Sequence, residues 1–223
     1  MLTNKTYFTK SDLYIPNINE PDPNNRLHAV IDNIIERCEQ DVFKSVFGIK
    51  MWNDFKQWIE PNGGLKEDAP QNYKDLVYGK EYTKDDKTYY WNGIIQENPK
   101  FSFISCYVYY IYKLENITQT TDFGETSIDT KIGNKASDTP KMVSAWNKFI
   151  DGFCGGYRSG YDGLTTEGNP YWLIGDRGVD YYGHFDSEET SMIKCLDDNK
   201  EEYPLLNLDV RKIHLNHKNS WGI

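Results

Sequence analysis

Few side chains in this 223-residue chain are of the types and spacings that do chemistry. Of its four histidines, His28, His184, His214 and His217, only the last two are close, in HLNH near the end of the chain. The zinc-protease pattern sets two histidines four apart on one helix face, so a hydrogen-bonded or solvated pair is the stronger reading of HLNH. In DYYGHFD, Asp180, His184 and Asp186 form the best local cluster of imidazole and carboxylates, a set that can ligate a metal or relay a proton. Glycine-rich loops also carry Asp and His for turn geometry alone, and that reading outweighs the other. GFCGGYRSG gathers Cys154, Arg158 and Ser159, but the flanking signatures and the His and Asn partners of a cysteine nucleophile are not identifiable. Phosphate loops of the form G-x-x-x-x-G-K-[ST] and dinucleotide fingerprints of the form G-x-G-x-x-G do not occur. The expectation is a protein with no catalysis, no metal and no cofactor.

Composition narrows the remaining classes. Hydrophobic residues make up 38%, charged residues 26% and aromatic residues 15%, with 17 Tyr, 10 Phe and 6 Trp. A single globular core with elaborations fits this length, and it must lean on rings more than on aliphatic side chains. The formal charge of -9 argues against affinity for a phosphate backbone, because such binding comes from Lys and Arg displacing counterions. DNA is still compatible as a neighbour that an acidic wall repels. Cys38, Cys106, Cys154 and Cys195 are far apart and form no C-x-x-C pair, which predicts reduced thiols. The first residues hold no signal-like apolar run and no stretch reaches membrane-spanning length, which predicts a soluble protein without an export address.

The elements that would position any site follow from periodicity. Residues 1–23, with Pro16, Pro21 and Pro23, read as an extended arm that is either loosely attached or grips a neighbour. Over residues 24–47 an apolar stripe of Leu27, Val30, Ile31, Ile34, Ile35, Cys38, Val42 and Phe47 predicts an amphipathic helix ended by Gly48. A shorter helix carrying Trp52, Phe55 and Trp58 runs to the turn at Pro61. Residues 73–78 predict a short helix stopping at Gly79. Residues 82–91 read either as a hairpin around KDDK or as an irregular aromatic loop.

Two further apolar helical patterns enclose a long polar span. Ile104, Tyr107, Val108, Ile111 and Leu114 predict a helix starting at about Pro99. Met142, Val143, Trp146, Phe149 and Ile150 predict another, with Asp138 or Thr139 as N-cap and Pro140 in the first helical position. The Thr- and Gly-rich span between them is long for a compact domain, and loops of that length are usually functional or disordered. After Ile150 the chain turns glycine- and aromatic-rich, and Ser187 reads as the cap of a short helix with Met192, Ile193 and Leu196. The last 19 residues, 205–223, read as a strand or an extended tail.

Two function classes remain. A carbohydrate- or peptide-binding module would use Tyr157, Tyr161, Tyr171, Trp172, Tyr181 and Tyr182 of residues 153–182 as stacking platforms, although rings under long loops also serve simply to fill gaps. An assembly protein would use its arm, loop and tail to clasp neighbours, since such segments add contact area without a large flat face.

The succession SFISCYVYYIYKLEN, TQTTDFGETSIDTKIGN and PKMVSAWNKFI, with WNGI upstream and the ending NSWGI, resembles the small head-tail connector proteins of tailed bacteriophages and prophages. The likeness spans residues 27–150 and the last few residues, and its motifs are patterns of residue type. It implies a mainly α helical bundle that forms a homo-oligomeric ring between the portal and the tail or neck proteins, with DNA passing through unbound. It also implies a virion location at the head-tail interface after assembly in the host cytoplasm, with no membrane contact. The contact elements would be the loop, through Thr120, Asp122, Phe123, Glu125, Ile128 and Ile132, and the tail, through Ile213, Trp221 and Ile223. The division expected is arm 1–23, helical domain 24–150, Gly/aromatic insertion 151–204 and tail 205–223.

Overall fold

The computed structural model describes residues 1–9, 12–19, 26–116, 118–121, 124–127, 139–155 and 189–208, with the side chains of 118–127 excepted. The fold is mainly α, with small antiparallel strand pairs. Helix α1 spans Arg26–Phe55 and breaks at Gly48, whose φ of 73° and ψ of 167° are not helical. The two helices predicted on either side of Gly48 therefore follow one another directly, meeting at a kink where the glycine stands. A 3-10 turn over Lys56–Trp58 follows, then α2, Gln71–Tyr78, which Gly79 ends at φ 99°. Strands β1, Lys80–Lys84, and β2, Lys87–Trp91, pair antiparallel with Tyr82 opposite Tyr89. Of the two readings of this stretch, the hairpin is the one that forms. Asp85 and Asp86 both take positive φ, the requirement of a tight two-residue hairpin turn.

Helix α3 covers Phe103–Asn116, four residues later than the position of Pro99 suggested. Asn98 and Pro99, joined by a cis bond, instead turn the chain between β3, Gln96–Glu97, and β4, Lys100–Phe101. The helix begins beyond Ser102, whose Oγ accepts the Ile104 N–H at 3.2 Å. Strands β5, Thr118–Thr121, and β6, Gly124–Ser127, form a hairpin immediately after α3. Helix α4 is Thr139–Phe153 and α5 is Met192–Asp198. Ser191, rather than Ser187, caps α5 through an Lys194 N–H bond of 3.3 Å, and Glu189 bridges to Tyr90 instead of entering the helix. Ser187 lies outside the described residues, as do His184, His214 and His217.

One aromatic-rich core joins helices α1, α2, α3, α4 and α5. Phe43, Phe47, Trp52, Phe55 and Tyr73 form a ring cluster with centroids 5.1 to 6.3 Å apart. Each fully buried ring of this kind contributes roughly 1.5–3 kcal/mol, so the rings do replace missing aliphatic mass. The N-terminal segment belongs to the same core. Leu2, Phe8 and Ile15 are each at most 1% exposed, so the described part of residues 1–23 lies on the bundle and is no free arm. Its anchor is Glu39 of α1, 2% exposed, whose two carboxylate oxygens accept the Leu2 and Thr3 N–H groups at 3.0 and 2.7 Å and the Thr3 hydroxyl at 2.8 Å.

The other end of the described chain is fastened as firmly. Lys194 of α5 lies 4.8 Å from the Tyr89 ring and 3.0 Å from Asp198, which also accepts the Tyr82 hydroxyl at 2.8 Å. Lys80 pairs with Glu202 at 2.7 Å and the Tyr203 hydroxyl donates to the Asn72 carbonyl at 2.9 Å. Residues 200–208 thereby cross α2 and return to α1, where the Asn207 N–H donates to the Phe47 carbonyl at 3.2 Å.

Candidate interaction surface

The loop expected to make contacts joins α3 and α4, which pack closely on one another. Tyr107 of α3 stacks on Phe149 of α4 at 4.7 Å, and Trp146 sits 5.0 Å from Tyr110. A Cβ added to Gly152 would lie 2.7 Å from that of Phe103, so glycine lets the two backbones close together there. Such packing has no freedom to slide, which makes the pair a rigid mount. Its far end carries hairpin β5–β6, in which Thr120 and Glu125 are direct cross-strand partners. Asp122 and Phe123 belong to the connection between the strands, and Ile128 and Ile132 follow it. These four lie outside the described residues. Where α3 ends, Arg37 and Glu115 form an ion pair and Leu114 is 51% exposed, so the predicted apolar face stops one turn early.

The second expected element starts from the bend in α1. Gly48 allows residues 203–208 to pass close by, since an added Cβ would meet Asn207 Cβ at 3.0 Å. A cleft of about 540 Å³ opens there, bounded by Lys44, Ile49, Lys50, Pro204, Leu205 and Asn207. Ile49 and Leu205 are 71% and 42% exposed, and no carboxylate is among the lining residues. Ile213, Trp221 and Ile223 lie outside the described residues, so the structure brings together the base of the tail but not its expected contacts.

The chemistry sought in the sequence finds little support among described groups. Burial pushes the thiols of Cys38, Cys106, Cys154 and Cys195 up to about 12, which leaves them as inert small hydrophobes, and all four are free. His28 is held by the Ile18 carbonyl at 3.0 Å. Among the described residues no group of three or more His, Cys, Asp or Glu side chains could hold a metal ion, and no helix is long and apolar enough to cross a membrane. Phe153, the first ring of the aromatic segment, is 3% exposed and stacks on Phe149 at 5.1 Å, so it belongs to the core. The remaining rings of that segment, Tyr157 to Tyr182, lie outside the described residues. A cleft of about 380 Å³ is lined by Trp91, Phe101, Phe103, Lys148, Asp151 and Glu189, among others.

Two features escaped the sequence reading. Glu39 falls on the apolar stripe between Ile35 and Val42, and a lone carboxylate at a core position is the signal that a specific partner must exist. The Ile49–Leu205 patch joins residues 156 positions apart, and no local pattern announces it.

No protein family, no curated protein and no solved structure matches this chain.

Proposed function

We propose that the chain is a structural adaptor at the head-tail junction of a tailed phage or prophage, one subunit of a ring between the portal and the tail proteins. The observation that carries this reading is the hairpin β5–β6 that follows directly on the end of α3, a helix packed closely on α4. A mount of that kind suits a loop that grips a neighbour. The mechanism is geometric: a heterologous contact repeated around an axis closes a ring, and the surplus of carboxylates keeps passing DNA from sticking. On this reading the protein performs no catalysis and needs no cofactor. Deleting residues 120–137 tests it. A folded monomer with unchanged far-UV circular dichroism but no rings by electron microscopy, and no portal binding, is the expected outcome. A deletion variant that assembles as the intact chain does would refute the loop's role.

Carbohydrate or peptide binding through residues 153–182 is the second reading; a cleft of about 380 Å³ lined by Trp91, Phe101 and Phe103 also includes Gly152 and Glu189, which flank that segment in the sequence. A change in Trp fluorescence on adding an oligosaccharide series, abolished by Trp91→Ala or Trp172→Ala, would move the balance towards it.

A further inference from the structure

The cleft at the bend of α1 has a composition unlike that of the molecule as a whole. The chain carries -9, yet this cleft is lined by Lys44 and Lys50 with exposed Ile49 and Leu205, and by no acid. The chain leaving it is basic as well: residues 209–223 hold Arg211, Lys212 and Lys218 against the single Asp209. The cleft is therefore positive and apolar in a chain whose formal charge is negative. Two copies meeting cleft to cleft would repel, and so would a basic tail laid on this cleft. The favourable occupant is an acidic segment with apolar side chains.

The chain contains such a segment. Residues 118–129, which include hairpin β5–β6, carry Asp122, Glu125 and Asp129 with Phe123 and Ile128, and no Lys or Arg. Antiparallel pairing of Thr118–Thr121 with Gly124–Ser127 holds the described backbone of this segment as a hairpin. We infer that the cleft formed by Lys44, Ile49, Lys50 and Leu205 receives the β5–β6 hairpin of a second copy. The contact is heterologous, which is the kind that closes rings, and it rests on the ring-subunit reading above by naming the surface its loop meets. Carboxylates of the hairpin face the two lysines, and its apolar side chains cover Ile49 and Leu205.

Charge reversal in trans tests this without touching the core, because Lys44 and Lys50 are exposed. Sedimentation velocity is measured on the full chain, on Lys44→Glu/Lys50→Glu, on Asp122→Lys/Glu125→Lys/Asp129→Lys, and on an equimolar mixture of the two variants. Each variant alone should self-associate at least tenfold more weakly than the unchanged chain, and the mixture should regain association, since each reversed surface then meets a reversed partner. Ile49→Ser, with charge unchanged, should also weaken association. If the full chain assembles and neither reversal affects it, the contact proposed is wrong while the ring reading stands. Rescue confined to a single chain carrying all five changes means that the hairpin folds back on its own cleft, which overturns the contact between copies. A full chain that stays monomeric at all concentrations and salt strengths, with or without residues 120–137, removes both.

Discussion

Glu39 decides how the first residues of the chain are held. A carboxylate buried in a helix stripe costs several kcal/mol unless its oxygens are satisfied, and the Leu2 and Thr3 groups satisfy both. Burial raises the Glu39 carboxyl above the ordinary carboxylate range, and the three hydrogen bonds oppose that rise without cancelling it. A folded value above the unfolded one means that the protonated form is the better folded partner. The contribution is thus complete below about pH 4.3 and is lost as the pH climbs through the raised value. Replacing Glu39 with Ala strands two buried N–H groups, so the variant should lose about 2–4 kcal/mol in urea unfolding. The deficit should be greatest near pH 4 and narrow towards neutrality. A deficit that instead widens with pH would show that the bonds to Leu2 and Thr3 hold the carboxyl below its unfolded value.

At the scale of elements, the period of apolar residues located the helices, and local backbone chemistry located their breaks. The stripe from Ile31 to Val42 is buried as its spacing required, and Gly48 and Gly79 stand where the chain turns out of the helix. Pro99 misled because the residue favoured in a first helical turn is also favoured in tight turns, and here the strand pairing of Gln96 with Phe101 claimed it. The cap of α5 shifted from Ser187 to Ser191 for a related reason: several Ser and Glu residues precede that helix, and the pairing of Glu189 with Tyr90 fixed which one could serve. Gly48 offers the sharper test of an element. Its φ of 73° with ψ of 167° is a region open essentially to glycine alone, and Asn207 leaves 3.0 Å for a Cβ. Gly48→Ala should therefore lower stability by about 1–3 kcal/mol and speed proteolysis after Asn207. Asn, which tolerates the left-handed helical well, should fail to rescue because ψ lies far from that well. Equal thermal midpoints for the Ala variant and the unchanged chain would mean that the bend straightens at no cost.

For the whole molecule, the sequence foretold a mainly helical bundle filled by rings because pattern and composition act locally and additively. It did not foretell that residues 1–9 and 12–19 would lie on the bundle, because prolines and mixed polarity suggest an arm whatever the chain later packs against, and the deciding contact is with Glu39, more than thirty residues away. The candidate surface was legible in part for the same reason: the loop stood out by its length, whereas the basic cleft exists only after the chain has folded Leu205 back beside Ile49. The charge balance of the chain bears on DNA. A ring subunit that lets a duplex pass must not bind it, and a formal charge of -9 outweighs Arg211, Lys212 and Lys218 at any distance beyond the tail itself. Fluorescence anisotropy with a labelled 30-base-pair duplex should therefore show binding weaker than the ~10⁻⁴ to 10⁻⁶ M of ordinary non-specific binders at physiological salt. Micromolar binding that weakens steeply as salt rises would mean that the basic tail tracks phosphates. The acidic surplus would then no longer explain free passage, and the tail would have to be sequestered in the ring for the proposed role to survive.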